Sequence, residues 1–209
     1  MRGLKSVGSG PSVLFATGLF NTMPSSSYSC LIEALRGDLT VWSYDAAGPL
    51  NARALARIAD VAGEDAMGYA GHSSFVPGLL GCDRISRAAL LDPATLPGAF
   101  DPDASRLIPR RLHVSKPVIV LDAAYTRNAR VPFVPPSFVP RIAGADRRRF
   151  ARVGHADALD DAAAEACRRL LGIRGARDAR TRAAYRSALA RELIRFFGCA
   201  HTFRSDGLQ

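Results

Sequence analysis

Met67-Gly-Tyr-Ala-Gly-His-Ser-Ser-Phe75 is the stretch on which the reading of this chain turns. Met67–Gly71 reads as a short buried strand. It runs into Gly71-His72-Ser73-Ser74 and then towards a short helix ending near Gly81. A serine on a sharp strand-to-helix turn, with a small residue two places before it, is the pattern of a nucleophile elbow. Serine is a weak nucleophile at neutral pH. It needs a base to take its proton and donors to hold the oxyanion. Gly71 meets the demand for a small neighbour, whereas Phe75 stands where a second small residue is usual.

Strand and helix signals alternate around the elbow. Before it come the apolar run Ser12–Ala16, a helical spacing over Ser27–Arg36 and a strand over Leu39–Tyr44. Asn51–Ala62 reads as a helix with Asn51 as its N-cap. After the elbow, Ile85–Leu91 and Pro117–Leu121 read as strands, and Arg149–Val153 as a last short one. Helices over Leu159–Leu171 and Arg180–Phe197 close the chain. Such alternation predicts a mainly parallel central sheet with helices on both faces. The segments 100–115 and 126–149 read as excursions, the second carrying proline-rich VPFVPPSFVP, with Phe133–Phe138 suited to a pocket wall, a lid or a packed loop. Residues 1–11 and 200–209 are expected to be a flexible N-terminus and tail.

The chemistry then asks for a histidine on a loop before a late helix. Of the four histidines, His72 adjoins the serine and cannot face it, His113 precedes a strand, and His201 is in the tail. His155, after a short apolar segment and before a helix, is the expected base. For the acid, Asp92 follows Ile85–Leu91 and Asp122 ends Pro117–Leu121; both remain open, with Asp45 a weak third that precedes the serine. Asp157 and Asp160 read as caps of the helix after His155. The oxyanion donors would be the backbone N–H of Ser74 and that of Leu19, in the loop Thr17-Gly18-Leu19-Phe20, where Gly18 lets the backbone turn.

In order along the chain, Phe15-Ala-Thr-Gly-Leu-Phe-Asn21 with Tyr28-Ser29, Gly71-His72-Ser73, Leu91-Asp92-Pro93 and Gly154-His155-Ala-Asp157-Ala-Leu159-Asp160-Asp161 resemble the chlorophyllase-like branch of the α/β-hydrolases, near other esterases and polyester hydrolases. The last helix, with Arg182 and Arg186, resembles that family's arginine-bearing C-terminal helix. The resemblance implies an α/β-hydrolase fold, and at 209 residues no large separate lid domain is expected. It implies a serine esterase with Ser73 as nucleophile, His155 as base and Asp92 as acid, and no metal or organic cofactor. Thr17, Phe75 and the 19-residue step from Ser73 to Asp92 depart from the family pattern. They motivate the alternative of a non-catalytic binding protein on the same fold.

Length and composition agree with one domain. The chain has 209 residues, 48 % hydrophobic and 22 % charged, enough to bury a core without staples. Cys30, Cys82, Cys167 and Cys199 form no CxxC pair, so a zinc site is unsupported. No apolar run reaches membrane-span length and the N-terminus has no signal-peptide core, so a soluble, cytoplasmic protein is expected. The net charge of +9 is the outlier. Residues 1–100 carry seven basic and eight acidic side chains, so the excess lies wholly in the second half. Only Lys5 and Lys116 are lysines among 28 basic residues. No nucleic-acid module accompanies the arginines, so weak attraction to anionic surfaces is the stronger expectation. The expected partner is a small-molecule or lipid-like ester.

Overall fold

A computed structural model of the protein describes residues 3–18, 23–45, 50–74, 80–94, 111–125 and 141–198. Ser12–Ala16 forms strand β2, and its residues from Val13 to Ala16 are apolar because the sheet is covered on both faces. Val13 and Phe15 enter one buried cluster, Leu14 and Ala16 the other. The same division sends Ile119 and Leu121 of β7 (Val118–Ala123) to the first cluster and Val118 and Val120 to the second. The first cluster is roofed by helix α1 (Ser29–Leu35), through Leu31 and Leu35, and by the last helix α4 (Ala179–Gly198), through Tyr185, Leu189, Leu193 and Phe197. Helix α3 (Asp161–Leu171) adds Ala164. The second cluster is roofed by α2 (Ala52–Ala62), through Leu55, Ile58 and Ala59. Asn51 caps α2 by accepting the Ala54 N–H at 2.9 Å.

The remaining strands are β1 (Leu4–Val7), β3 (Thr40–Tyr44), β4 (Met67–Ser74), β5 (Ile85–Ala94), β6 (Arg111–His113), β8 (Arg141–Ala143) and β9 (Asp146–Phe150). Seven of the nine described strands form one sheet in the order β1-β3-β2-β4-β5-β7-β9, parallel except for β1. β6 and β8 make a separate parallel pair. The serine-bearing β4 therefore lies at the centre, between β2 and β5, with loops from both neighbours leaving at the same edge. That edge gathers the ends of β2, β4 and β5, which is where parallel sheets build their sites.

Three expectations need revision. Residues 4–7, taken as part of a flexible terminus, pair antiparallel with β3 from Leu4↔Tyr44 to Val7↔Val41. An edge strand with one exposed face carries no apolar run to announce it. The last strand occupies Asp146–Phe150 rather than Arg149–Val153, because this edge is built from charged residues. The excursions contain β6 and β8. No helix among the described residues is long and apolar enough to cross a membrane.

Candidate active site

β4 rises through Gly68, Tyr69 and Ala70 in step with β2 and β5, then breaks register with β5 between His72 and Ser74. At that break Ser73 takes a left-handed φ of +64°, a strained setting for a side chain other than glycine. The side chain of Gly71 is missing for a definite reason: a Cβ there would lie 2.5 Å from the Tyr69 hydroxyl. The small residue makes room for the strand's own buried tyrosine. Phe75 and the helix expected after the elbow fall largely outside the described residues, as does Leu19. Ser74 ends β4 beside Ser73, pairing with Ala94.

Ser73, His155 and Asp92 come together. His155 Nε2 stands 2.8 Å from Ser73 Oγ, and His155 Nδ1 stands 2.6 Å from Asp92 Oδ2. Asp92 is buried at the end of β5, with φ +46°, and its Oδ1 accepts the Ala123 N–H at 3.2 Å. The left-handed backbone turns its carboxylate towards the loop of His155. Asp122, the other candidate acid, points elsewhere: Arg147 of β9 meets its Oδ2 at 3.1 Å. Asp45 accepts Ser25 N–H and Oγ–H at 2.8 and 3.0 Å and pairs with Lys5.

The loop of His155 is held by three carboxylates and two arginines. Asp157, fully buried, accepts the N–H groups of Gly154 at 2.7 Å and Ala176 at 2.6 Å. That closes the turn His155–Ala158 and ties it to the segment after α3. Asp160 does not cap the helix it precedes. Its carboxylate accepts Ser29 N–H at 3.0 Å and Cys30 N–H at 2.9 Å, so it caps α1, 131 positions upstream of it. Arg186 is buried, donating to the Leu159 carbonyl at 2.8 Å and Asp161 at 3.0 Å, and Arg182 donates to Asp161 at 3.0 Å. These two arginines of α4 are clamps rather than a solvated face.

A second histidine lies behind the first. His72 is buried and stacks on His155 with ring centroids 4.8 Å apart and planes at 29°. Gly18 N–H donates to the Tyr28 hydroxyl at 2.9 Å, so that oxygen is already an acceptor. Its own proton then goes to His72 Nδ1, 2.7 Å away. His72 Nε2 must carry the imidazole proton and donates it to the His155 carbonyl at 2.9 Å. Burial above all, and then the neighbouring His155, push His72 down to about 3, consistent with this neutral ring. The Tyr28 phenol is pushed up by burial and stays protonated. Sequence reasoning set His72 aside as a neighbour of the serine and missed its contact with His155. The signal available was Tyr28 itself, a polar group on the apolar face of a helix. Gly18 lacks a side chain because a Cβ would sit 3.1 Å from the Tyr28 hydroxyl and 3.4 Å from His72 Nδ1, and its φ is not left-handed. Thr17 donates to the Met23 carbonyl at 2.6 Å.

The arrangement can draw the proton from Ser73, pass the resulting charge to an imidazole steadied by Asp92, and return the proton to a leaving group. Among the described residues no group of three His, Cys, Asp or Glu side chains is placed to hold a metal ion.

No protein-family model matches the sequence, and no curated protein matches it. Solved structures do resemble the fold. A meta-cleavage product hydrolase from Pseudomonas fluorescens IP01 superposes with a TM-score of 0.62 at 13 % identity, covering 95 % of this chain and 94 % of that one. An α/β-hydrolase enzyme from the metagenome of Mar Chica lagoon sediments gives 0.54 at 15 % identity, covering 81 % and 92 %. The esterase domain of a Rhodothermus marinus protein gives 0.51 at 13 %, covering 93 % and 99 %. With its mostly parallel seven-stranded sheet, its helices on both faces and these structural likenesses, the chain has the α/β-hydrolase fold.

Proposed function

We propose that the protein is a serine hydrolase that cleaves a hydrophobic carboxylic ester, of the carboxylesterase or lipase-like kind. The observation that carries this reading is the unbroken relay from Ser73 Oγ through the His155 ring to Asp92, at 2.8 and 2.6 Å. Ser73 Oγ attacks the ester carbonyl carbon as His155 Nε2 takes its proton. The negative oxygen is held by the N–H groups of Leu19 and Ser74. Collapse breaks the acyl–oxygen bond, and His155 returns the proton to the departing alcohol. Water, giving a proton to His155, then attacks the acyl-serine; the acyl–Oγ bond breaks, His155 returns the proton to Ser73 Oγ, and the acid is freed. Asp92 keeps the proton on Nδ1 and steadies the imidazolium. Gly18 does not supply an oxyanion donor in this scheme, since its N–H is given to Tyr28.

The resemblance of the elbow and of the His155 segment to the chlorophyllase-like esterases favours an ester over other hydrolase substrates. A non-catalytic binding role would be favoured by a serine out of reach of the histidine, and the 2.8 Å contact weighs against it. A nucleic-acid role is disfavoured by how Arg147, Arg148 and Arg149 are used. They meet Asp122, Glu192 and the Ala124 carbonyl within the chain. Treatment of the native protein with a fluorophosphonate probe, read by mass spectrometry, tests the reading. An adduct on Ser73 that disappears in Ser73→Ala is expected. No adduct on native protein overturns it.

A further inference from the structure

Tyr28 and His72 do no chemistry in the scheme above, yet they join its two halves. Gly18, at the start of the oxyanion loop, donates to Tyr28; Tyr28 donates to His72; His72 donates to the backbone carbonyl of His155. The three hydrogen bonds, at 2.9, 2.7 and 2.9 Å, leave one self-consistent assignment of protons. Tyr28 and His72 are both buried, where each bond is expensive to leave unmade. Stacking fixes the remaining freedom of the His155 ring, its tilt about the Ser73 contact. Phe15 packs against Tyr28 edge-on with centroids 5.1 Å apart, which ties the bridge to β2.

We propose that Tyr28 and His72 are positioning residues, forming a bridge that sets the distance between the oxyanion loop and the base His155. The proposal rests on the serine-hydrolase reading of the same site. The bridge touches no substrate. It acts because a nucleophile–base pair and an oxyanion donor work only when they address one carbonyl group at once, and small misplacements there cost rate steeply. A neutral His72 also suits a neighbour that becomes an imidazolium during the reaction, since its ring face stabilises that charge whereas a second cation would oppose it.

The experiment compares wild type with Tyr28→Phe and His72→Gln. Tyr28→Phe keeps the ring and deletes the hydroxyl. His72→Gln keeps a donor for the His155 carbonyl and loses the stacked ring. The readouts are the rate of fluorophosphonate labelling at Ser73, kcat and KM on a p-nitrophenyl ester, and imidazole nitrogen-15 spectra at neutral pH. We expect Tyr28→Phe to lower labelling and kcat by roughly ten- to a hundredfold with KM changed less than about threefold, and His72→Gln to fall between it and wild type. Wild-type spectra should show His72 protonated on Nε2 and bare on Nδ1. Variants that fold, by thermal melt, and keep kcat within about twofold of wild type would overturn the bridge. So would a wild-type His72 protonated on Nδ1, an outcome readable even if neither variant folds. If wild type fails to label at Ser73, the hydrolase reading falls by itself, and the His72 proton position still decides whether the bridge exists.

Discussion

His155 Nδ1 and Asp92 Oδ2 lie 2.6 Å apart, while Asp122, on the neighbouring strand, is bound by Arg147. Two aspartates at the ends of adjacent parallel strands thus have separate duties. Asp92→Asn replaces an acceptor with an amide that favours the wrong imidazole tautomer, so turnover of an ester should drop roughly a thousandfold or more. Asp122→Asn breaks a pair whose arginine is over a third exposed, and kcat should stay within about twofold, with stability changed by under about 1 kcal/mol. Steady-state kinetics on the two variants check the assignment. The reverse order would move the acid to Asp122.

Asp157 gives a prediction about folding. Its carboxylate is the acceptor for two buried N–H groups, those of Gly154 and Ala176. Asp157→Ala leaves both without a partner, and each such group costs about 1–3 kcal/mol. Urea unfolding should show a loss of about 2–5 kcal/mol. Asp157→Asn, which keeps one acceptor oxygen, should lose less. Equal stability in all three proteins would mean that water replaces the carboxylate.

Much of the fold was legible because β2 and β7 are buried on both faces and so consist of apolar runs. The edge strands were not: β1 holds Lys5 and Ser6, and β9 holds Asp146 and three arginines. Charged edges deter pairing with other chains, and the same charges hide the strand from a hydrophobicity reading. At the site, Ser73 and His155 were legible from local turn chemistry, and Asp92 was one of two aspartates ending strands. The function of Asp160 was not, because the N–H groups it caps belong to Ser29 and Cys30. Only the folded sheet brings that helix end beside it. The Tyr28–His72 contact fails to register in sequence for the same reason.

Acid should probe the clamp on the His155 loop. Hydrogen bonding from Arg182, joined by Arg186 against the opposing cost of burial, holds Asp161 below its ordinary value of 3.8. A carboxylate lowered on folding stabilises the native state above its unfolded value, and that contribution disappears as pH falls through the folded one. Unfolding free energy should therefore decline as pH drops below about 4, and Asp161→Asn should flatten part of that slope. Asp161 is half exposed, so salt should weaken the effect. An identical slope in wild type and variant, measured by denaturant melts between about pH 2 and 5, would assign the acid sensitivity elsewhere.

Gly154 separates a steric requirement from a conformational one. Its φ of −125° suits any residue, yet a Cβ there would lie 1.9 Å from the Arg174 carbonyl oxygen. Backbone faces backbone, so no rotamer change relieves the clash. Gly154→Ala should cost about 3 kcal/mol and, by shifting the adjacent His155 from Ser73, lower kcat beyond what the unfolded fraction explains. Gly172 is the converse: its φ is +61° and a Cβ would meet nothing within 4 Å. Gly172→Ala should cost about 1 kcal/mol from backbone strain alone and leave kcat unchanged. Urea melts and ester kinetics on the two variants read the difference. Equal effects would mean that the segment around Arg174 yields, and that the glycine before His155 is not what fixes the loop.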